Sequence, residues 1–97
     1  MDDARIEAAL LALAEARRAG SFCPSEAARR LAEGSGAGWR PLMPEIRRVA
    51  ARLAREGRLV ALQGGAPVDA LGARGPIRLA APRRGGLPGP EGRPPLA

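Results

Sequence analysis

The chain has 97 residues, a formal net charge of +6, 45% hydrophobic residues and only 2% aromatic ones, and every one of its sixteen basic residues is arginine. This length allows one domain. A single cysteine and no histidine argue against an internal disulfide and a familiar zinc site, and no apolar run approaches the roughly 20 residues that span a bilayer.

The acidic start, Asp2-Asp3, stands where a secretory signal carries basic residues, so a cytoplasmic location is expected, with no membrane partner, metal or cofactor. Arginine to the exclusion of lysine, in a chain rich in Ala, Gly and Pro, is what GC-rich coding writes whatever the function. The position of the charge says more. Residues 1–39 carry Arg5, Arg17, Arg18, Arg29 and Arg30 against Asp2, Asp3, Glu7, Glu15, Glu26 and Glu33, a balance of −1. Residues 40–84 carry Arg40, Arg47, Arg48, Arg52, Arg55, Arg58, Arg74, Arg78, Arg83 and Arg84 against Glu45, Glu56 and Asp69, a balance of +7. A field so one-sided attracts polyanions.

From Asp3 to about Ala19, Ile6, Ala9, Leu10 and Leu13 recur at helical spacing, acids crowd the start, and Arg17 and Arg18 close the run before Gly20. Ser21 and Phe22 link this helix to Cys23-Pro24-Ser25-Glu26, which has the outline of a capping box with proline at the first helical position. A second helix should reach about Glu33, with Ala27, Ala28 and Leu31 inward and Arg29 and Arg30 outward, before Gly34-Ser35-Gly36-Ala37-Gly38 stops it.

Trp39 leads into a third helix, regular from about Pro44 to Glu56, because Pro41 and Pro44 are tolerable only at or before a first turn. Leu42, Ile46, Val49, Ala50 and Leu53 share its inner side, Arg48, Arg52 and Arg55 form a stripe opposite, and Arg47 flanks the apolar face. After Gly57 the period changes. Residues Arg58 to Gln63 read as a strand ended by Gly64-Gly65, and Ile77-Arg78-Leu79 as its antiparallel return after a long loop, in which Asp69 and Arg74 are placed to pair. From Pro82 onward Pro and Gly dominate, so residues 82–97 are expected to be a disordered tail to a domain of residues 1–81.

Three helices, a short connection able to form an additional strand, and a C-terminal β-hairpin wing make an α+β, mainly α, winged helix-turn-helix order. The sequence resembles domain-of-unknown-function family 3253 over roughly residues 5–80. The resemblance rests on Cys23-Pro24-Ser25-Glu26-Ala27-Ala28-Arg29, on Trp39-Arg40 with Leu42-Met43-Pro44, and on the Arg-rich helix ending Glu56-Gly57-Arg58. It extends to Val68-Asp69 and Arg74-Gly75-Pro76-Ile77-Arg78-Leu79. It implies a winged-helix domain and brings no activity with it; some members carry an additional small cysteine-rich module.

The charge and the fold order together make Arg40, Arg47, Arg48, Arg52, Arg55, Arg74 and Arg78 the candidate contacts to duplex nucleic acid, on helix 3 and the wing. Guanidinium groups meet phosphates or fork onto guanine edges. With no Asn, Lys, Thr or Tyr on the stripe, binding should be largely sequence-tolerant. The competing reading is a solvated face, in which Arg48 pairs with Glu45 and Arg52 with Glu56 at about 0.2–0.5 kcal/mol each. On that reading the domain is a protein-interaction or homodimerisation module using apolar surface beside the wing.

Cys23 at a helix start is either an activated thiolate or a small cap residue, the second being the simpler reading. Trp39 is either a base-stacking platform or, as one of only two aromatic residues, the chief anchor of the core. No His, Tyr, Lys, phosphate loop or ligand cluster supports catalysis, so the chain is not expected to be an enzyme.

Overall fold

A computed structural model describes residues 2–82; all of the expected tail except Pro82 lies outside the described residues. The described residues form an α+β, mainly α, arrangement of three α-helices and a three-stranded antiparallel sheet. Helix α1 spans Asp3–Ala16, α2 Pro24–Leu31 and α3 Met43–Arg55, the last preceded by one 3-10 turn at Arg40–Leu42. Strands β1 (Val60–Gln63), β2 (Ala66–Pro67) and β3 (Arg78–Ala80) follow.

Each helix begins where its local chemistry places it. The Asp2 carboxylate accepts the Arg5 N–H at 2.9 Å, satisfying one of the donors that α1 leaves without an internal partner. At α2, the Glu26 carboxylate accepts the Cys23 N–H at 3.2 Å, and Pro24 occupies the first helical position. Pro41 and Pro44 both fall in opening turns, one in the 3-10 turn and one in α3, where a missing N–H costs nothing. Gly57, at φ 77°, ends α3: its N–H reaches the Ala54 carbonyl at 3.1 Å and the Arg58 N–H reaches Leu53 at 2.9 Å. This paired C-terminal closure turns the chain back toward α1.

The sheet order is β2-β1-β3, so β1 is central. Ala61 lies opposite Leu79, and Leu62 is flanked by Arg78 on one side and Pro67 on the other. The expected β1–β3 hairpin is thus present, with a tighter one nested inside it. Gly64 and Gly65, at φ 60° and 84°, turn β1 directly into β2; two consecutive positive φ values are what a two-residue hairpin turn of type I′ requires, and a Gly-Gly pair supplies them without strain. Phe22 adds a bridge on the outer edge of β3, exchanging two 2.8 Å backbone hydrogen bonds with Leu79. The α1–α2 connection is thereby tied to the last strand.

The core is aliphatic around one ring. Ile6, Leu10, Phe22, Ile46, Val49, Leu53, Ile77 and Leu79 are its large fully buried side chains. Trp39 does not anchor it; the indole is half-buried and packs against the core's edge. Its neighbours in the Gly34–Gly38 loop are too small to cover it. Ala51 and Ala70, by contrast, are buried, because the loop after β2 folds over the flank of α3.

Candidate nucleic-acid interface

The seven candidate arginines divide into two sets by what holds them. Arg48 and Arg52 reach α1. Arg48 donates to both oxygens of Asp3 at 3.0 and 2.9 Å, not to Glu45, and Arg52 donates to Glu7 at 2.7 Å and Glu56 at 3.0 Å. Arg58, delivered by the turn at Gly57, adds ion pairs to Glu7 at 3.0 Å and Glu56 at 3.3 Å. Asp3 and Glu7 stand four residues apart on α1, and Arg48 and Arg52 four apart on α3. The pairs ascend together, so two complementary ridges meet with the helices running in the same sense.

The electrostatics follow from that contact. The hydrogen bonds from Arg48 and from Arg52 hold the Asp3 and Glu7 carboxyls below the usual carboxylate range, and the same bonds raise both arginines. Glu26 is likewise lowered, first by the Arg17 side chain and then by the Cys23 N–H. On this edge of α3, positive charge is matched by carboxylate.

The remaining five have no carboxylate partner among the described residues. Arg47 reaches across to the loop after β2 and donates to three backbone carbonyls: Ala70 at 3.3 Å, Ala73 at 3.1 Å and Gly75 at 2.7 Å. The guanidinium satisfies the loop's acceptors while keeping its full charge, because carbonyls orient a cation without neutralising it. Arg55 is exposed and borders a shallow groove with Ala51, Ala54, Val68, Asp69 and Ala70.

Arg74, exposed in the same loop, extends beside Gly75, and its own carbonyl accepts from Gln63 Nε2, which also donates to Pro76 at 3.1 Å. The expected Asp69–Arg74 ion pair does not form: Asp69 instead accepts the Leu71 N–H at 3.0 Å, and the Ala73 N–H returns to the Asp69 carbonyl at 2.9 Å. The loop is closed by its own backbone and by Arg47, which leaves Arg74 outside. Arg78, on β3, donates from Nε to Ser21 Oγ at 3.0 Å and from Nη2 to the Ser21 carbonyl at 2.9 Å. Arg40 stacks on Trp39, its guanidinium carbon 4.7 Å from the ring centroid.

Arg47, Arg55 and Arg74 are therefore brought together around one loop, while Arg40 and Arg78 sit at the start of the 3-10 turn and at the sheet. Sequence reasoning did not find Arg58 in the network or Arg29 beside Trp39, also at 4.7 Å. The matched four-residue spacings of Asp3/Glu7 and Arg48/Arg52 are the signal that could have revealed the first. Cys23 occupies the cap of α2, half-buried, with its sulfur accepting from Ser25 Oγ at 3.1 Å. Among the described residues no helix is long and apolar enough to cross a membrane, and no three or more His, Cys, Asp or Glu side chains come together as a metal site.

These features define a small α+β domain with one acid-matched and one unmatched basic edge. By its sequence the chain belongs to the family described as Protein of unknown function (DUF3253), whose profile matches residues 3–82. A comparison with curated proteins finds no match.

Proposed function

We propose that the domain is a winged helix that binds duplex nucleic acid with little sequence preference, through the loop-side edge of α3 and the wing. The order of three helices then a sheet, with Phe22 bridged to β3 and β3 to β1, supports the winged-helix reading. On it, α2 and α3 form the helix-turn-helix and residues 64–77 the wing.

The observation that carries the binding is the unmatched set Arg40, Arg47, Arg55, Arg74 and Arg78. None of these five has a carboxylate partner among the described residues, and three of them lie around a single loop. Guanidinium groups so placed meet phosphates and release counterions. Self-association through apolar surface has less to build on, since Leu71, 54% exposed, is the only exposed large hydrophobic residue among those described.

Fluorescence anisotropy of a labelled 20-base-pair duplex at two salt concentrations tests the reading. Binding should weaken as salt rises, with similar affinities for unrelated sequences, and Arg55→Ala with Arg74→Ala should lower both affinity and salt dependence. Absence of binding at low salt, or an unchanged affinity in the double variant, overturns it.

A further inference from the structure

At the corner between α2 and α3, far in sequence from the wing, two guanidinium groups share one indole. Arg29, in the last turn of α2, and Arg40, opening the 3-10 turn, each place the guanidinium carbon 4.7 Å from the Trp39 centroid. Both arginines are exposed, and neither forms an ion pair among the described residues. Glu33, one turn beyond Arg29, pairs with neither, and Glu26 is taken by Arg17 at 2.8 Å.

Two cations so close to one centroid lie within about a Debye length of each other at 0.1 M salt, roughly 10 Å, so their fields add. Stacking on a ring uses the face of a guanidinium and leaves its N–H edge open. The side chain's freedom is already restricted, and neither guanidinium donates a side-chain hydrogen bond among the described residues, so the donors that would fork onto an anion are not taken by the protein. Arg48 shows the contrast, its edge filled by both oxygens of Asp3.

We infer that Arg29, Trp39 and Arg40 form a phosphate clamp, in which the ring is a platform and the two guanidinium edges hold a phosphodiester of the nucleic-acid backbone. The clamp rests on the nucleic-acid reading above and extends it to a second contact that does not involve the wing. Phosphate suits the site better than an acidic peptide does, because no exposed large apolar side chain lies at this corner to engage a peptide's side chains; Leu71 belongs to the loop after β2.

The only tryptophan in a chain without tyrosine makes the site self-reporting. Titration of the full chain with the 20-base-pair duplex should change Trp39 emission at the same concentrations at which anisotropy of the labelled duplex rises. Arg29→Ala with Arg40→Ala should weaken binding at low salt about tenfold or more and reduce the slope of log K against log salt by about 0.9, one phosphodiester's worth. The control pair Arg5→Ala with Arg30→Ala removes the same charge from exposed positions away from the ring and should cost distinctly less.

Duplex binding with an unchanged affinity and slope in the Arg29/Arg40 variant, or an equal loss in the control pair, overturns the clamp while the wing interface stands. Polyglutamate binding through the same two arginines in place of the duplex overturns it in favour of an acidic protein partner. No duplex binding at all overturns both readings. Thermal unfolding of each variant separates a lost contact from a lost fold.

Discussion

Arg48 and Asp3, 45 residues apart in the chain, meet as a two-pronged ion pair at 3.0 and 2.9 Å that joins the first turn of α1 to the middle of α3. Its neighbour, Arg52 to Glu7 at 2.7 Å, repeats the contact one turn further along. Together they mean that the arginine stripe of α3, viewed on the helix alone, overstates the charge that the surface offers.

That relationship sets the behaviour in acid. Asp3, Glu7 and Glu26 are lowered in the folded state, so the unfolded chain binds more protons as pH falls. Their stabilisation is fully present above the ordinary carboxylate range near pH 4 and is lost as pH drops through the depressed folded values. The melting temperature should therefore be flat between pH 6 and 8 and fall steadily below about pH 4.5. Glu7→Gln should flatten part of that fall; an acid limb identical to the parent's would show that the Glu7 pairs contribute nothing.

On the nucleic-acid reading, the same pairs predict a variant that binds more tightly. With Asp3→Asn and Glu7→Gln, Arg48 and Arg52 lose their strongest partners and become available to phosphates next to the unmatched edge. Duplex affinity at low salt should rise, and the slope against log salt should steepen by up to about 1.8. A weaker complex from a variant that still unfolds cooperatively would place α3's α1-facing edge outside the interface.

Arg47 holds the loop after β2. Hydrogen bonds to charged groups contribute about 1.5–3 kcal/mol each in mutational series, and Arg47 makes three to one loop. Shared geometry and partial exposure argue for less than the sum. Arg47→Ala should cost about 2–3 kcal/mol and raise amide exchange selectively across residues 68–76, whereas Arg47→Lys should recover only a fraction, lacking the planar fork. Uniform exchange changes throughout the domain would contradict a local clamp.

At the nested hairpin, Gly64→Asn should be nearly neutral, since Asn tolerates the left-handed region. Gly65→Val, at φ 84°, should destabilise by about 1–3 kcal/mol. Chemical denaturation of the two variants provides the comparison, and equal stabilities would rule out the positive-φ turn.

Much of this architecture is legible in the residues themselves. The three helices follow from apolar spacing and capping, because those forces act within a few residues: Pro24 and Glu26 start α2, and Gly57 stops α3. The helix ends expected at about Ala19 and Glu33 lie three and two residues beyond the observed ends at Ala16 and Leu31, where the following residues form turns and not helix. Ala66–Pro67 escaped notice although Gly64-Gly65 is a strong turn signal, since two residues ending in proline carry no strand period.

The burial of Ala51 and the clamp by Arg47 depend on where a distant loop comes to rest. Helical periodicity places both residues beside the outward face and says nothing of what will cover it. The arginine stripe was legible as a stripe, but its matching by Asp3 and Glu7 arises only when α1 and α3 pack together. The half-buried state of Trp39 is of the same kind, set by what packs around it: the core's edge, small residues in the preceding loop, and Arg29 and Arg40 over the ring.

The Phe22–Leu79 bridge joins positions 57 residues apart and closes the outer edge of β3. During synthesis, the helices can nucleate as they emerge, yet the ring of Phe22 has no lid and β1 no long partner until residues 77–80 are released. Closure of the sheet therefore waits for residues 77–80: a nascent chain halted before Leu79 exposes its one core aromatic, and the contact it lacks is long-range, the kind whose loop-closure entropy slows folding.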